Sequence, residues 1–429
     1  MRRIRNVCAF LLTAVTAVAL TACSGGGDTA ENADGPVTFT WWHNGTTDTR
    51  KAVWEQVAAD YQAANPGVSF KIEPVQNEQF QTKIPLALQS DSPPDIYQQW
   101  GGGQGEGQLP SGKVADITEQ TSPWIGSLGP IAKDWAADGK QFGVPYVGHT
   151  VGFWYRKDIF ANAGITTPPA TMEQLNEAVS KLKAAGVAPI AVGGKDRWPD
   201  AFYWGYLATR HCSPEELKKA VETVRMEHPC WLRAGQDLKA FLDTQPFQPG
   251  FVGTPAQQGA GSSAGLVANG QAAMELQGDW DPDTMAALTP DKDLNSKLGW
   301  FPFPTVAGGE GAPGAVLAGG DGFSCTKRTG AACAKFLQYL TSTPVQEKLA
   351  AVGAGLPVNP AAAQALTTDS LKSVFEYTQQ ASHRQTYFDI ALPTSVGQAL
   401  NDAIANFFAG QGTPETIVQA VNSAAAGNK

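Results

Sequence analysis

The chain has 429 residues, 42% hydrophobic and 17% charged, with 46 Gly and 29 Pro; it is long enough for two ordinary domains and too apolar to be intrinsically disordered. Beyond its first 22 residues it carries 28 basic against 40 acidic side chains, a net of −12, which argues against the basic surface that nucleic acids require. It also holds 12 Trp beside only 5 Met and 5 His, and those tryptophans are the compositional feature that asks for a function.

At the N-terminus, Arg2, Arg3 and Arg5 precede the apolar run from Val7 to Leu20, and Leu20-Thr21-Ala22-Cys23 follows. This is a charged region, an apolar core and a small-residue cleavage site, so residues 1–22 read as a signal peptide. The apolar run is too short for a comfortable membrane span. The Leu-x-small-Cys ending resembles the lipobox of bacterial lipoproteins. The resemblance implies acylation of Cys23, a Gly-rich polar tether over 23–35, and a protein held on the extracellular face of the cell membrane by its lipid anchor alone. With Cys8 removed and Cys23 acylated, four cysteines remain in two sequence-local pairs, Cys212 with Cys230 and Cys325 with Cys333. In an oxidising compartment two disulfides are the natural reading, the first closing a loop worth roughly 3 kcal/mol. A zinc site built from His211, Cys212, His228 and Cys230 is the competing reading, but the spacing matches no familiar zinc pattern.

From Val37 the pattern becomes regular. Val37 to Trp41 alternates as a strand, and Val53, Trp54, Val57, Ala58 and Tyr61 share one face of a helix closed by Asn65-Pro66-Gly67. Val68, Phe70 and Ile72 alternate again, a helix covers about 77–90, and Pro93-Pro94 introduces the short apolar run Asp95-Ile96-Tyr97. That is the rhythm of a parallel sheet. Thr171 to Gln174 is a capping box opening a helix whose core stripe is Met172, Leu175, Val179 and Leu182. Residues 189–192 read as the next buried strand, and the remainder as mostly helical with Gly/Pro interruptions, including a helix over 398–409.

Catalytic and phosphate motifs are weak. Residues 107–114 have the spacing of a phosphate-binding loop, but Val114 stands where a magnesium-binding hydroxyl belongs. Gly261-Ser262-Ser263-Ala264-Gly265 has the nucleophile-elbow pattern without a strand leading into it. Asp279, Asp281 and Asp283 lack the downstream acid of a calcium loop, and a glycosidase would need two carboxylates at a defined separation across a cleft.

Taken in order, the lipobox, Phe39 to Asn44, Pro94-Asp95-Ile96, Gly143 to Tyr146 with Phe153 to Asp158, Pro168 to Leu175, Gly270 to Met274 with Gly278-Asp279-Trp280, and Gly355 to Asn359 resemble the extracellular solute-binding proteins of carbohydrate ABC importers. Gln98 to Gly103 and Gly194 to Pro199, with the Trp204 region, look most like actinobacterial xylobiose and xylo-oligosaccharide binders, including those of Streptomyces-like bacteria. The resemblance implies an α/β, two-lobed periplasmic-binding-protein-like fold with a hinge and interlobe cleft. Its N-terminal lobe would be 36–147 plus 307–351, and its C-terminal lobe 148–306 plus 352–429. It further implies a monomer that binds an oligosaccharide, needs no cofactor, metal or nucleic acid, is not an enzyme, and hands its ligand to permease subunits. The alternatives are a secreted glycoside hydrolase or a receptor for cellobiose or an N-acetylated disaccharide.

A neutral sugar needs flat apolar platforms for its C–H face and bidentate polar groups for its hydroxyls. Trp100, Trp198 and Trp280 lie in Gly/Pro/Asp-rich segments without apolar periodicity and are the expected platforms. Trp54, Trp135 and Trp154 lie on apolar faces and are expected in the core. His43, Asn44, Gln99, Trp100 and Gly101 follow strands and are expected at the cleft. Asp279 and Asp321 are acids flanked by glycine, which lets the backbone approach a ligand closely, so they are candidate sugar contacts with a solvated turn as the competing reading; Lys195, Asp196 and Asp389, then His149, Gln79 and Arg384, are further polar candidates.

Overall fold

Val37–His43 alternates in burial, with Phe39, Trp41 and His43 turned inward, so the first strand buries one face as its sequence dictates. The computed structural model describes residues 36–427. Its strands are β1 (Val37–His43), β2 (Val68–Pro74), β3 (Ile96–Gln99), β4 (Ala136–Ala137), β5 (Lys140–Gln141), β6 (Gly143–Arg156), β7 (Ala188–Ala191), β8 (Ala272–Gly278), β9 (Leu298–Phe301), β10 (Val316–Cys325), β11 (Leu356–Pro357) and β12 (Arg384–Thr386). The main sheet runs β2-β1-β3-β10-β6-β8-β7, with β9 and β11 also on β6 and β12 on β10; β4 and β5 pair separately. β1 pairs in parallel with β2 and β3, whereas β10 lies antiparallel to β3 and β6.

β6 is the crossing element. Its first half pairs with β10 and its second half with β8 and β9, so one 14-residue strand belongs to both α/β lobes. On one side Phe39, Trp41, Trp54, Phe323 and Phe336 make a core under the helices Asp48–Ala64 and Gly330–Leu340. On the other, Phe153, Tyr203, Trp204, Trp231, Phe303 and Phe408 make a second, under Trp198–His211, Pro229–Asp243 and Thr394–Phe408. Trp154, Met285, Leu298 and Leu356 anchor a third cluster. Trp54, Trp135 and Trp154 are all buried.

Beyond residue 192 the sequence reads as mostly helical, and helices do predominate there, but the structure adds the strands β8 to β12 that this reading lacks. β8 is buried along its whole length, so it shows no alternation. β10 carries Gly319, Gly320 and Gly322, poor strand formers that are required here. A Cβ on Gly319 would come within 2.3 Å of the Tyr387 ring, and one on Gly322 within 2.5 Å of Trp135.

Both expected disulfides are present. Cys212–Cys230 ties the end of Trp198–His211 to the start of Pro229–Asp243, and Cys325–Cys333 ties β10 to Gly330–Leu340. The first consumes the two thiols a zinc site would need, and His211 instead contacts Asp237 at 2.7 Å. Among the described residues no helix is long and apolar enough to cross a membrane. The leader and Cys23 lie outside the described residues.

Candidate functional site

The carboxyl ends of β1, β3 and β8 converge on a cavity of about 450 Å³, the position at which open α/β sheets present ligand sites. The residues immediately after those strands include Asn44, Trp100 and Trp280, and all three line it. His149, Asp196, Trp198, Asp321 and Asp389 line it as well, so eight of the residues singled out from sequence come together at one place.

The aromatic wall is continuous. Trp280 lies 6.3 Å from Trp198 and 6.5 Å from Phe202 between ring centroids, and Phe202 lies 5.2 Å from Tyr387. Trp280 folds back over Gly278, where a Cβ would meet the indole at 2.1 Å. From the lobe holding β1 to β3, Trp100 is braced edge-on against Phe80 at 5.9 Å. Trp198 does not sit in an irregular segment as its neighbours suggest; it opens the helix Trp198–His211, with Pro199 in the first turn where a missing N–H costs nothing.

Behind the wall lies a charged relay. His149, on β6, has Nδ1 at 3.3 Å from both Asp279 oxygens and Nε2 at 3.4 Å from Asp321 Oδ2. Its ring stands edge-to-face against Trp280 at 4.9 Å. Burial opposes charge on this imidazole, but Asp279 and then Asp321 outweigh it and raise its pKa to about 9. Asp321 is buried too, which works against its charge, yet His149 holds its carboxyl below the usual range. Asp321 lies within β10 rather than in a turn, and Tyr146 donates to it at 3.3 Å.

Seven sequence-selected residues lie outside the cavity lining, among them Gln79, which is exposed, and Arg384, which pairs with Asp134 at 3.1 Å. His43 is buried against Trp41 and Trp54, its Nδ1 accepts the Gly45 N–H, and burial, with Lys51, lowers its pKa to about 3; it is a neutral core residue. Gln99 is buried and accepts the Gly101 N–H. Gly101 has φ +78°, and a Cβ would strike the Asp134 carbonyl at 2.7 Å, so it makes a turn. Lys195 points to solvent. Asp279 is fully buried, accepting from the Thr150 N–H at 2.8 Å, and supports the site from behind through His149. Ser263 of the nucleophile-elbow match is buried and donates to Glu275, out of reach of any substrate.

The lining residues that sequence missed include Arg50, Glu78, Gln104, Tyr387 and Asn401. Each is a single polar or aromatic residue on or beside a helix, and nothing in its local pattern separates it from an ordinary surface position.

The family profile of the bacterial extracellular solute-binding proteins matches residues 44–347. The chain belongs to that family. A Brucella abortus binding protein, itself provisionally assigned, is 34% identical over 115 residues, and the match spans only 26% of this chain and 27% of that protein. The sn-glycerol-3-phosphate-binding periplasmic protein UgpB of the same organism is 26% identical over 163 residues, covering 35% of this chain and 36% of the relative. A structure solved in work on xylan utilisation by Caldanaerobius polysaccharolyticus superposes with TM-score 0.82 at 22% identity, over 92% of this chain and 100% of that one. A chitin oligosaccharide binding protein superposes with TM-score 0.78 at 24% identity, over 91% and 98%. The GacH receptor of Streptomyces glaucescens does so with TM-score 0.72 at 20% identity, over 91% and 97%. These similarities establish the two-lobed solute-receptor fold for the chain.

Proposed function

We propose that this protein is the extracellular substrate-binding component of an ABC sugar importer, and that its cavity takes a neutral disaccharide or short oligosaccharide, xylobiose in the first instance. One observation carries the reading. Six polar atoms on cavity-lining residues are shielded and have no partner among the described residues: the Trp198 and Trp280 indole N–H groups, the Tyr387 hydroxyl, and single oxygens of Glu78, Gln104 and Asn401. Buried polar groups left unpaired are costly, so a solute that both donates and accepts around its rim is the complementary occupant. Hydroxyls on an apolar ring meet that description, and the Trp280, Trp198, Phe202 and Tyr387 wall suits the ring face.

Charge favours a neutral ligand over an anionic one such as the glycerol phosphate named for UgpB. Each lining cation is already engaged: Arg50 with Asp283, Arg197 with Asp402, and His149 with Asp279 and Asp321. Glu78, Asp196 and Asp389 also line the cavity, and none of them forms an ion pair among the described residues.

On this reading the lobes are residues 36–147 with 307–351 and residues 148–306 with 352–429, and they close on the sugar. Cys23 is acylated and tethers a monomer to the outer face of the cell membrane, from which the closed form delivers its cargo to the permease. The chemistry is binding and motion, with no bond made or broken. The test is a tryptophan-fluorescence titration with xylobiose, cellobiose, chitobiose and glycerol 3-phosphate, followed by chromatography of the recovered sugar. Saturable quenching by a neutral disaccharide, recovered intact and strongest for xylobiose, is expected. A preference for another disaccharide would correct the ligand, cleavage products would favour the glycoside hydrolase, and silence with every sugar would remove the proposal.

A further inference from the structure

Arg50 lines the cavity from the helix Asp48–Ala64, which packs in the core of β1 and β2. Its guanidinium leaves that lobe. Nε contacts Asp283 Oδ2 at 3.0 Å and Nη2 donates to the Trp280 carbonyl at 3.3 Å, both in the segment after β8. Thr47 completes the contact. Its hydroxyl donates to the same Asp283 oxygen at 3.0 Å while accepting the Arg50 N–H at 3.2 Å as the cap of its helix, so one oxygen serves both lobes. The Arg50 and Asp283 side chains are only 12% and 9% exposed, which separates this pair from the screened surface ion pairs elsewhere on the molecule. Gly45 makes room for it: a Cβ there would meet Trp54 at 2.9 Å and the Arg50 Cβ at 3.1 Å.

We propose that Arg50, braced by Thr47, is a positioning residue that latches the two lobes together through Asp283 and thereby fixes Trp280 against the ligand. The latch deepens the sugar-receptor reading and rests on it for its ligand. An Arg fork is suited to this task because its planar donors reach a carboxylate and a carbonyl together, which a lysine ammonium cannot reproduce in one fixed geometry. A contact made only when the lobes meet adds nothing to encounter with the sugar and slows its escape, so its energy belongs to the dissociation rate.

The experiment uses Arg50→Gln, Arg50→Lys, Asp283→Asn and the Arg50→Gln/Asp283→Asn double variant, each checked by thermal melting, with xylobiose as probe. Stopped-flow fluorescence is expected to show dissociation about tenfold faster in every variant, association little changed, and the double variant no worse than either single one, because both remove the same contact. Hydrogen exchange of the amides of 281–287 at saturating sugar is expected to be faster in the variants than in wild type. If Arg50→Gln weakens binding while Asp283→Asn does not, Arg50 contacts sugar and latches nothing. If neither variant alters exchange of 281–287 with or without sugar while wild type binds, the latch fails and the receptor reading stands. If wild type binds no sugar but the variants exchange faster there in sugar-free protein, the latch stands and the ligand assignment fails.

Discussion

Trp280 depends on what lies beneath it. Its ring covers Gly278, and His149 stands against it between two aspartates. Trp280→Ala should weaken sugar binding by at least about tenfold without unfolding the protein, since the ring packs at the edge of the core and is only partly buried. Gly278→Ala should do much the same by displacing the indole; wild-type affinity in either variant, read by calorimetry, would take Trp280 out of the site. The relay also sets a pH dependence. An unfolded imidazole titrates near 6.5 and the folded His149 near 9, so the stability it contributes is complete below pH 6.5 and is lost as pH rises to 9. That window corresponds to about 3 kcal/mol. Asp200 and the Glu275–Asp281 pair, held protonated chiefly by burial, also lower stability as pH rises, so the comparison must be with His149→Gln. Denaturant midpoints should fall more steeply toward pH 9 in wild type than in that variant; parallel curves would mean that His149 is not charged in the folded protein.

At the scale of elements, the first strands and the helix Met172–Ala184 were legible because each buries one face of a regular period. β8 and β10 were not, since complete burial removes alternation, and glycines chosen for the rings above them resemble loop composition. The same physics divides the site. Trp100 and Trp280 stand out as aromatics in segments without periodicity, whereas Arg50 and Asn401 lie in regular helices and are brought to the cavity only by the tertiary fold. His43 and Gln99 were misplaced by the rule that residues ending strands face the cleft; here it is the next residue, Asn44 or Trp100, that does so. The cysteines make a prediction at this scale. Replacing Cys212 and Cys230 by Ser should cost about 3 kcal/mol and Cys325 with Cys333 about 2.5 kcal/mol by loop-closure entropy, measured by urea unfolding. The 18-residue and 8-residue separations set that order, and the reverse order would show that native packing, not the loop, governs the loss.

For the whole molecule, the decisive feature is that β6 runs unbroken through both lobes while the cavity-lining residues come from opposite sides of it. A solute touching Trp100 on one side and Trp280 on the other gains its full contacts only when the lobes approach, so binding energy and closure are one quantity. Small-angle scattering of the intact protein titrated with xylobiose tests this most directly. The radius of gyration, about 22 Å for a compact chain of this size, should fall as calorimetrically verified saturation is reached. An unchanged scattering profile at that saturation would contradict the account.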